Sequence, residues 1–174
     1  MFKFAACALL FTTLSAAAPP AKGMQGLDPS HADLIQAVQD IGVEVVIGTE
    51  HPVCDFAFGA YSSMHRKMLL CKDAETPFTS RQLNTLRHES IHVAQDCRGG
   101  RWGDLAFQEG QSMASSFKQA TIARLDLGQK LVPYVRMGVD ESVLVIEAEA
   151  ISMSHIWSGQ ETLEHLEEAC KANA

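Results

Sequence analysis

No stretch of this chain gathers basic residues or interleaves them with aromatics, and 14 Lys and Arg stand against 21 Asp and Glu. The electrostatic footprint of a nucleic-acid binder is therefore missing, and nucleic acid is excluded as a partner. No apolar run reaches the ~20 residues needed to cross a bilayer. No CxxC pair occurs, so the usual spacing of a Cys/His zinc knuckle is absent. Internal repeats, low-complexity tracts and a second-domain linker are also lacking. At 174 residues the chain suits one compact domain; two large ones would not fit.

The first residues have the order of a secretory signal: Lys3, a nearly unbroken apolar run from Phe4 to Leu14, and small residues from Ser15 to Ala18. Cleavage is expected near Ala18, giving a signal over 1–18, a linker over 19–29 and one domain over 30–174. A membrane anchor is the competing reading, but Pro19 and Pro20 follow the short apolar run at once. Cys7 would leave with the signal. Four cysteines remain, Cys54, Cys71, Cys97 and Cys170, an even number in a chain expected in an oxidising compartment, secreted or periplasmic. Of the three possible pairings, Cys54 with Cys71 and Cys97 with Cys170 are favoured, the first stapling a local strand pair and the second tying down the C-terminal segment.

Periodicity predicts an α+β fold, mostly helical, with a small β-sheet or hairpin packed on a helical core. Ser30 to Ile41 carries Leu34, Ile35, Val38 and Ile41 at helical spacing behind a serine able to cap the first turn. Val43 to Ile47 reads as a short strand closed by Gly48. A loop containing Pro52, Cys54 and Gly59 follows, then a second strand from about Arg66 to Cys71. The strongest helix runs from Ser80 to about Asp96, with Thr79 and Gln82 at capping-box spacing and Gly99 and Gly100 as a stop. Further helices are expected from about Leu105 to Leu125, Asp140 to about Trp157, and Ser158 or Gln160 to Ala172, with Pro133 and Gly138 as punctuation.

The chemistry lies in His88-Glu89-Ser90-Ile91-His92. Four residues make slightly more than one helical turn, so both imidazoles project from one face and can share a metal ion. Glu89 is then placed to take the proton of a metal-bound water and pass it to a leaving amine. Shuffling a chain with 7 histidines yields about 0.02 such matches, so chance is a minor competitor. Two histidines on an ordinary helix face is the structural alternative.

This segment resembles the defining HExxH helix of the zincin metallopeptidases. The likeness is local, covering the motif helix and part of one downstream helix. It implies Zn²⁺ as cofactor, His88 and His92 as ligands, Glu89 as catalytic base and a peptide or protein as substrate. The metzincin continuation is excluded, because Gln95 and Arg98 replace its glycine and third histidine.

The gluzincin branch takes its third ligand from a glutamate on a later helix, and some of its families carry E-x-E-A-D there. Glu147, Ala148, Glu149 and Ala150 match the first four positions, while Ile151 replaces the aspartate that would support a histidine. Glu147 and Glu149 lie about 200° apart around the helix and cannot both face the metal; the resemblance favours Glu147, with Glu149 as the alternative. Asp96, Asp104, Glu109 and His155 are weaker candidates.

The resemblance also implies that a strand lining the cleft pairs with an extended peptide, and Arg66 to Cys71 is the corresponding stretch. Tyr61, Tyr134 and His155 could steady a developing oxyanion, but none is assigned that role. Gln95 reads as a solvated helix residue. Two other functions stay open: a non-catalytic, metal-supported binding module, and a zinc hydrolase of another amide or ester.

Overall fold

A computed structural model describes residues 23–99 and 112–171. The expected signal, Gly100, Asp104, Glu109, Ala172 and the first part of the Leu105–Leu125 helix lie outside the described residues. The fold is α+β and mostly helical, six α-helices and one three-stranded sheet among the described residues.

Helix α1 spans Pro29–Asp40. Its cap is Asp28 rather than the expected Ser30: the Asp28 carboxylate accepts from the His31 N–H at 3.2 Å and from the Ser30 hydroxyl at 2.6 Å. Pro29 can then occupy the first helical position, where no N–H is needed. Strand β1 (Glu44–Gly48) follows, then a 3₁₀ turn at Pro52–Asp55, β2 (Gly59–Ser62) and β3 (Lys67–Cys71).

The expected loop around Gly59 is in part a strand. β2 pairs antiparallel with β3, while β1 pairs parallel with it, in the order β1-β3-β2. β3 is consequently the central strand and β2 an edge. Met68 and Leu70 alternate onto the helical side of the sheet and join Leu34, Val38, Leu86, Val93 and Leu166 in the main core.

Helix α2 (Ser80–Arg98) carries the predicted capping box: the Gln82 N–H donates to Thr79 Oγ1 at 3.4 Å and the Thr79 N–H to Gln82 Oε1 at 2.8 Å. It packs against α1, both neighbouring strands, α5 (Glu141–Ile156) and α6 (Gly159–Lys171). Ser158 and Glu161 cap α6 as their spacing predicts.

Between α2 and α5 the chain departs from expectation. Helix α3 covers Met113–Ile122 and ends before Leu125, because Arg124 adopts a left-handed φ of 56°. A further helix, α4 (Leu127–Met137), occupies the stretch expected to be punctuation. Pro133 lies inside it on the exposed side, where the missing N–H costs least, whereas Leu127 and Leu131 face a second core with Ala120, Ala148 and Ile151. Gly138 does stop this helix, at φ 71°.

Both favoured disulfides are present. Cys97–Cys170 ties α2 to α6, and Cys54–Cys71 ties the 3₁₀ turn to the end of β3 rather than one strand to another. Among the described residues no helix is long and apolar enough to cross a membrane.

Candidate metal centre

Helices α2 and α5 are latched at both ends of their contact. Near one end Asn84 Nδ2 and Arg87 Nε donate to the Ser154 carbonyl at 2.7 and 3.0 Å. Near the other Gln95 Nε2 donates to the Ile146 carbonyl at 3.0 Å. Small residues on α5, Ala148 and Ala150, are fully buried and allow the close approach. Glu147 is thereby carried over the motif face of α2.

The result is a compact three-residue cluster. The Nε2 atoms of His88 and His92 stand 3.1 Å apart. Glu147 Oε2 lies 3.5 Å from the first and Oε1 3.5 Å from the second. All three donors fall within 4.8 Å of one another, and the group can hold a metal ion. At 3.5 Å the carboxylate is too distant for good N–H···O bonds, and buried Glu147 Oε2 has no hydrogen-bond partner among the described residues. A buried orphan acceptor beside two imidazole nitrogens is costly unless a cation completes it.

Burial raises the Glu147 pKa, but the two histidines outweigh it and hold the carboxyl well below its ordinary range. Burial likewise disfavours the His92 imidazolium, yet Glu147, Glu89 and Gln95 push its pKa up to about 9.

Glu89 sits on the same helix, 5 % exposed. Burial is the largest influence on it and Glu147 adds to the upward shift, which His88, His92 and the Tyr61 backbone N–H only partly oppose. The carboxyl is a stronger base than an exposed one. Gly59 brings β2 against it: a Cβ there would lie 2.6 Å from Thr85 Cγ2, 2.9 Å from the Leu69 carbonyl oxygen and 3.3 Å from Glu89 Cγ. Only glycine lets this edge strand lie so close to the motif helix.

Gln95 is fully buried, not solvated, and supplies the support that Ile151 cannot. His92 Nδ1 donates to Gln95 Oε1 at 2.6 Å, which turns Nε2 toward the cluster, where a metal ion would take the place of its proton. Gln95 Nε2 in turn donates to Glu149 Oε2 at 2.9 Å, and Arg98 donates to Glu149 Oε1 at 3.0 Å. Glu149 therefore takes no place among the grouped donors; it is the buried anchor of the carboxamide. Arg98 also donates to His165 Nε2 at 2.7 Å.

The remaining candidates separate cleanly. Asp96 is buried and accepts from the Tyr61 hydroxyl at 2.7 Å, locking β2 onto α2, so both are structural. His155 donates through Nδ1 to the Ile151 carbonyl at 2.8 Å and stands outside the donor cluster. Tyr134, on the unforeseen α4, comes beside Glu147; burial and then that carboxylate's charge push its phenol far above the ordinary range, so the hydroxyl stays protonated. No hydrophobic or motif signal could place Tyr134 there without α4 itself.

Compared with protein-family models, curated proteins and solved structures, the chain finds no match in any of the three.

Proposed function

We propose that this protein is an exported zinc hydrolase of the zincin type that cleaves peptide bonds. The observation that carries the reading is the meeting of His88, His92 and Glu147 beside buried Glu89. Donors held by one tetrahedral zinc at about 2.0–2.2 Å stand about 3.3–3.6 Å apart; here the imidazole nitrogens are 3.1 Å apart, each lies 3.5 Å from a different Glu147 oxygen, and one donor atom from each residue fits within 4.8 Å. Two imidazoles and one carboxylate also leave a fourth position open, as catalysis requires. Two disulfides fit export to an oxidising compartment.

Zinc held there by His88, His92 and Glu147 would lower the pKa of a water to about 7 and polarise a carbonyl. Glu89, strengthened as a base by its burial, would take the proton of the attacking water and return it to the departing amine. The Tyr134 hydroxyl, kept protonated beside Glu147, would donate to the carbonyl oxygen as charge develops. An extended peptide pairs with β2 instead of the expected β3, since β3 is covered on both sides. The Cys71 N–H bonds the Phe58 carbonyl, so antiparallel alternation turns Ala60 and Ser62 toward β3 and leaves the Gly59 backbone groups and the Tyr61 carbonyl on the outer edge, the Tyr61 N–H being engaged by Glu89.

The test is Glu89→Gln in the zinc-loaded protein, assayed on a diverse peptide library. Retained zinc with turnover abolished is expected, and His88→Ala should lose both. Full activity in Glu89→Gln sinks the mechanism. Zinc bound by a wild-type protein that cleaves no peptide would favour a binding module, or a hydrolase of another amide or ester.

A further inference from the structure

A cleft of about 610 Å³ runs along α2 on the side of its first turns. Arg81, Asn84 and Thr85 line it from α2, one to two helical turns before His88 and on the same stripe. Thr85 is the residue against which Gly59 packs, as Glu89 does, so the cleft adjoins the metal centre. Arg87, Lys130 and His155 complete its polar lining.

In a chain with excess acid, this cleft is lined by three permanent cations and by no carboxylate among the described residues. Arg87 is held from behind. Its Nε donates to the Ser154 carbonyl at 3.0 Å and NH1 to His31 Nε2 at 2.9 Å, while His31 Nδ1 donates to Asp28 at 2.7 Å. A guanidinium has five N–H groups, so three remain without a partner among the described residues. Lys130 Nζ and the Arg81 guanidinium make no ion pair there either, Arg81 lying 4.8 Å over the Phe58 ring. A preorganised fork with uncommitted donors, flanked by two further cations, suits a planar, bidentate anion.

We propose that this cleft binds a carboxylate of the substrate, with Arg87 as the fork and Lys130 and Arg81 as supporting charges. The proposal rests on the hydrolase reading only in taking the bound carboxylate to belong to a substrate. The group is either an Asp or Glu side chain near the cleaved bond or a free C-terminus, and both present the same two oxygens.

The experiment measures binding, not turnover. Zinc-loaded Glu89→Gln protein is titrated calorimetrically with alanine-based hexapeptides carrying Glu or Gln at each position in turn, each as C-terminal acid and amide. The Glu or acid form should bind at least about tenfold tighter than its neutral twin. A Glu preference that survives amidation identifies a side chain; a preference lost on amidation identifies the C-terminus. Arg87→Lys should remove most of the preference, read as the ratio of charged to neutral affinity within that variant.

Because Arg87 also braces α1 against α5, the exposed pair Lys130→Gln and Arg81→Gln provides a second arm, expected to cut the preference about threefold each. Equal binding of charged and neutral peptides, or an undiminished preference in the Lys130→Gln, Arg81→Gln double variant, overturns the proposal. Failure of wild-type protein to hydrolyse any peptide would overturn the hydrolase reading and leave this binding result intact.

Discussion

Gln95→Leu is the sharpest perturbation of the support behind the metal centre. Leucine nearly preserves volume, so the fully buried site gains no large cavity and the change is one of polarity. It strands the His92 Nδ1–H, which now donates at 2.6 Å, and removes one donor from buried Glu149. Two stranded buried groups at about 1–3 kcal/mol each place the loss at about 2–6 kcal/mol of stability.

With Nδ1 unpaired, the imidazole is no longer held in the tautomer that presents Nε2 to the ion. Loss of such support lowers metal affinity by about 10–100-fold, or about 1.4–2.7 kcal/mol. The assay is zinc competition against a fluorescent chelator, well below the melting temperature. Leu166→Ala is the control, since this fully buried residue belongs to the apolar main core and takes no part in the His92–Gln95–Glu149 hydrogen bonds, and its truncation costs a similar about 2–5 kcal/mol. Gln95→Leu should lose zinc affinity and Leu166→Ala should not. Unchanged affinity in Gln95→Leu, or an equal loss in both, refutes the reasoning.

Tyr134→Phe should leave zinc affinity unchanged and lower kcat by about 10²-fold, as expected for one oxyanion donor; equal kcat in the two proteins would remove Tyr134 from the mechanism. Replacing Cys97 and Cys170 by alanine frees a loop of 73 residues and should cost up to about 4 kcal/mol in denaturant unfolding, against about 3 kcal/mol for the 17-residue Cys54–Cys71 loop. For His165, burial and then the neighbouring Arg98 lower the pKa to about 4. The folded pKa lies below the unfolded value of about 6.5, so this contribution is complete above about pH 6.5 and is lost as pH falls through 4. His165→Gln, which keeps an acceptor for Arg98, should therefore show a flatter melting-temperature profile than wild type between pH 6.5 and 4. Parallel profiles would contradict the assignment.

What could be read in the sequence follows physical range. The capping boxes of α2 and α6, the pattern of α1 and the spacing of His88 and His92 are local, set within one or two helical turns. Glu147 was reachable because the alternation Glu147-Ala148-Glu149-Ala150 resembled a known ligand segment. Helix α4 was missed because Pro133 is a breaker in isolation, and only its exposed position makes it tolerable. β2 was missed because four residues ending in a tight turn carry too little alternation to separate from a loop. The burial of Gln95 is not legible for a different reason: polar side chains are usually exposed, and its burial depends on Glu149, a partner 54 residues away. Their pairing is a tertiary fact with no local signal.

The account depends most directly on one metal ion shared by three residues. Anomalous diffraction at the zinc edge, from crystals of zinc-loaded wild-type protein, locates that ion without reference to activity. One strong peak within about 2.0–2.2 Å of His88 Nε2, His92 Nε2 and a Glu147 carboxylate oxygen is the predicted result. A peak that leaves out Glu147, or no peak between α2 and α5, would contradict it.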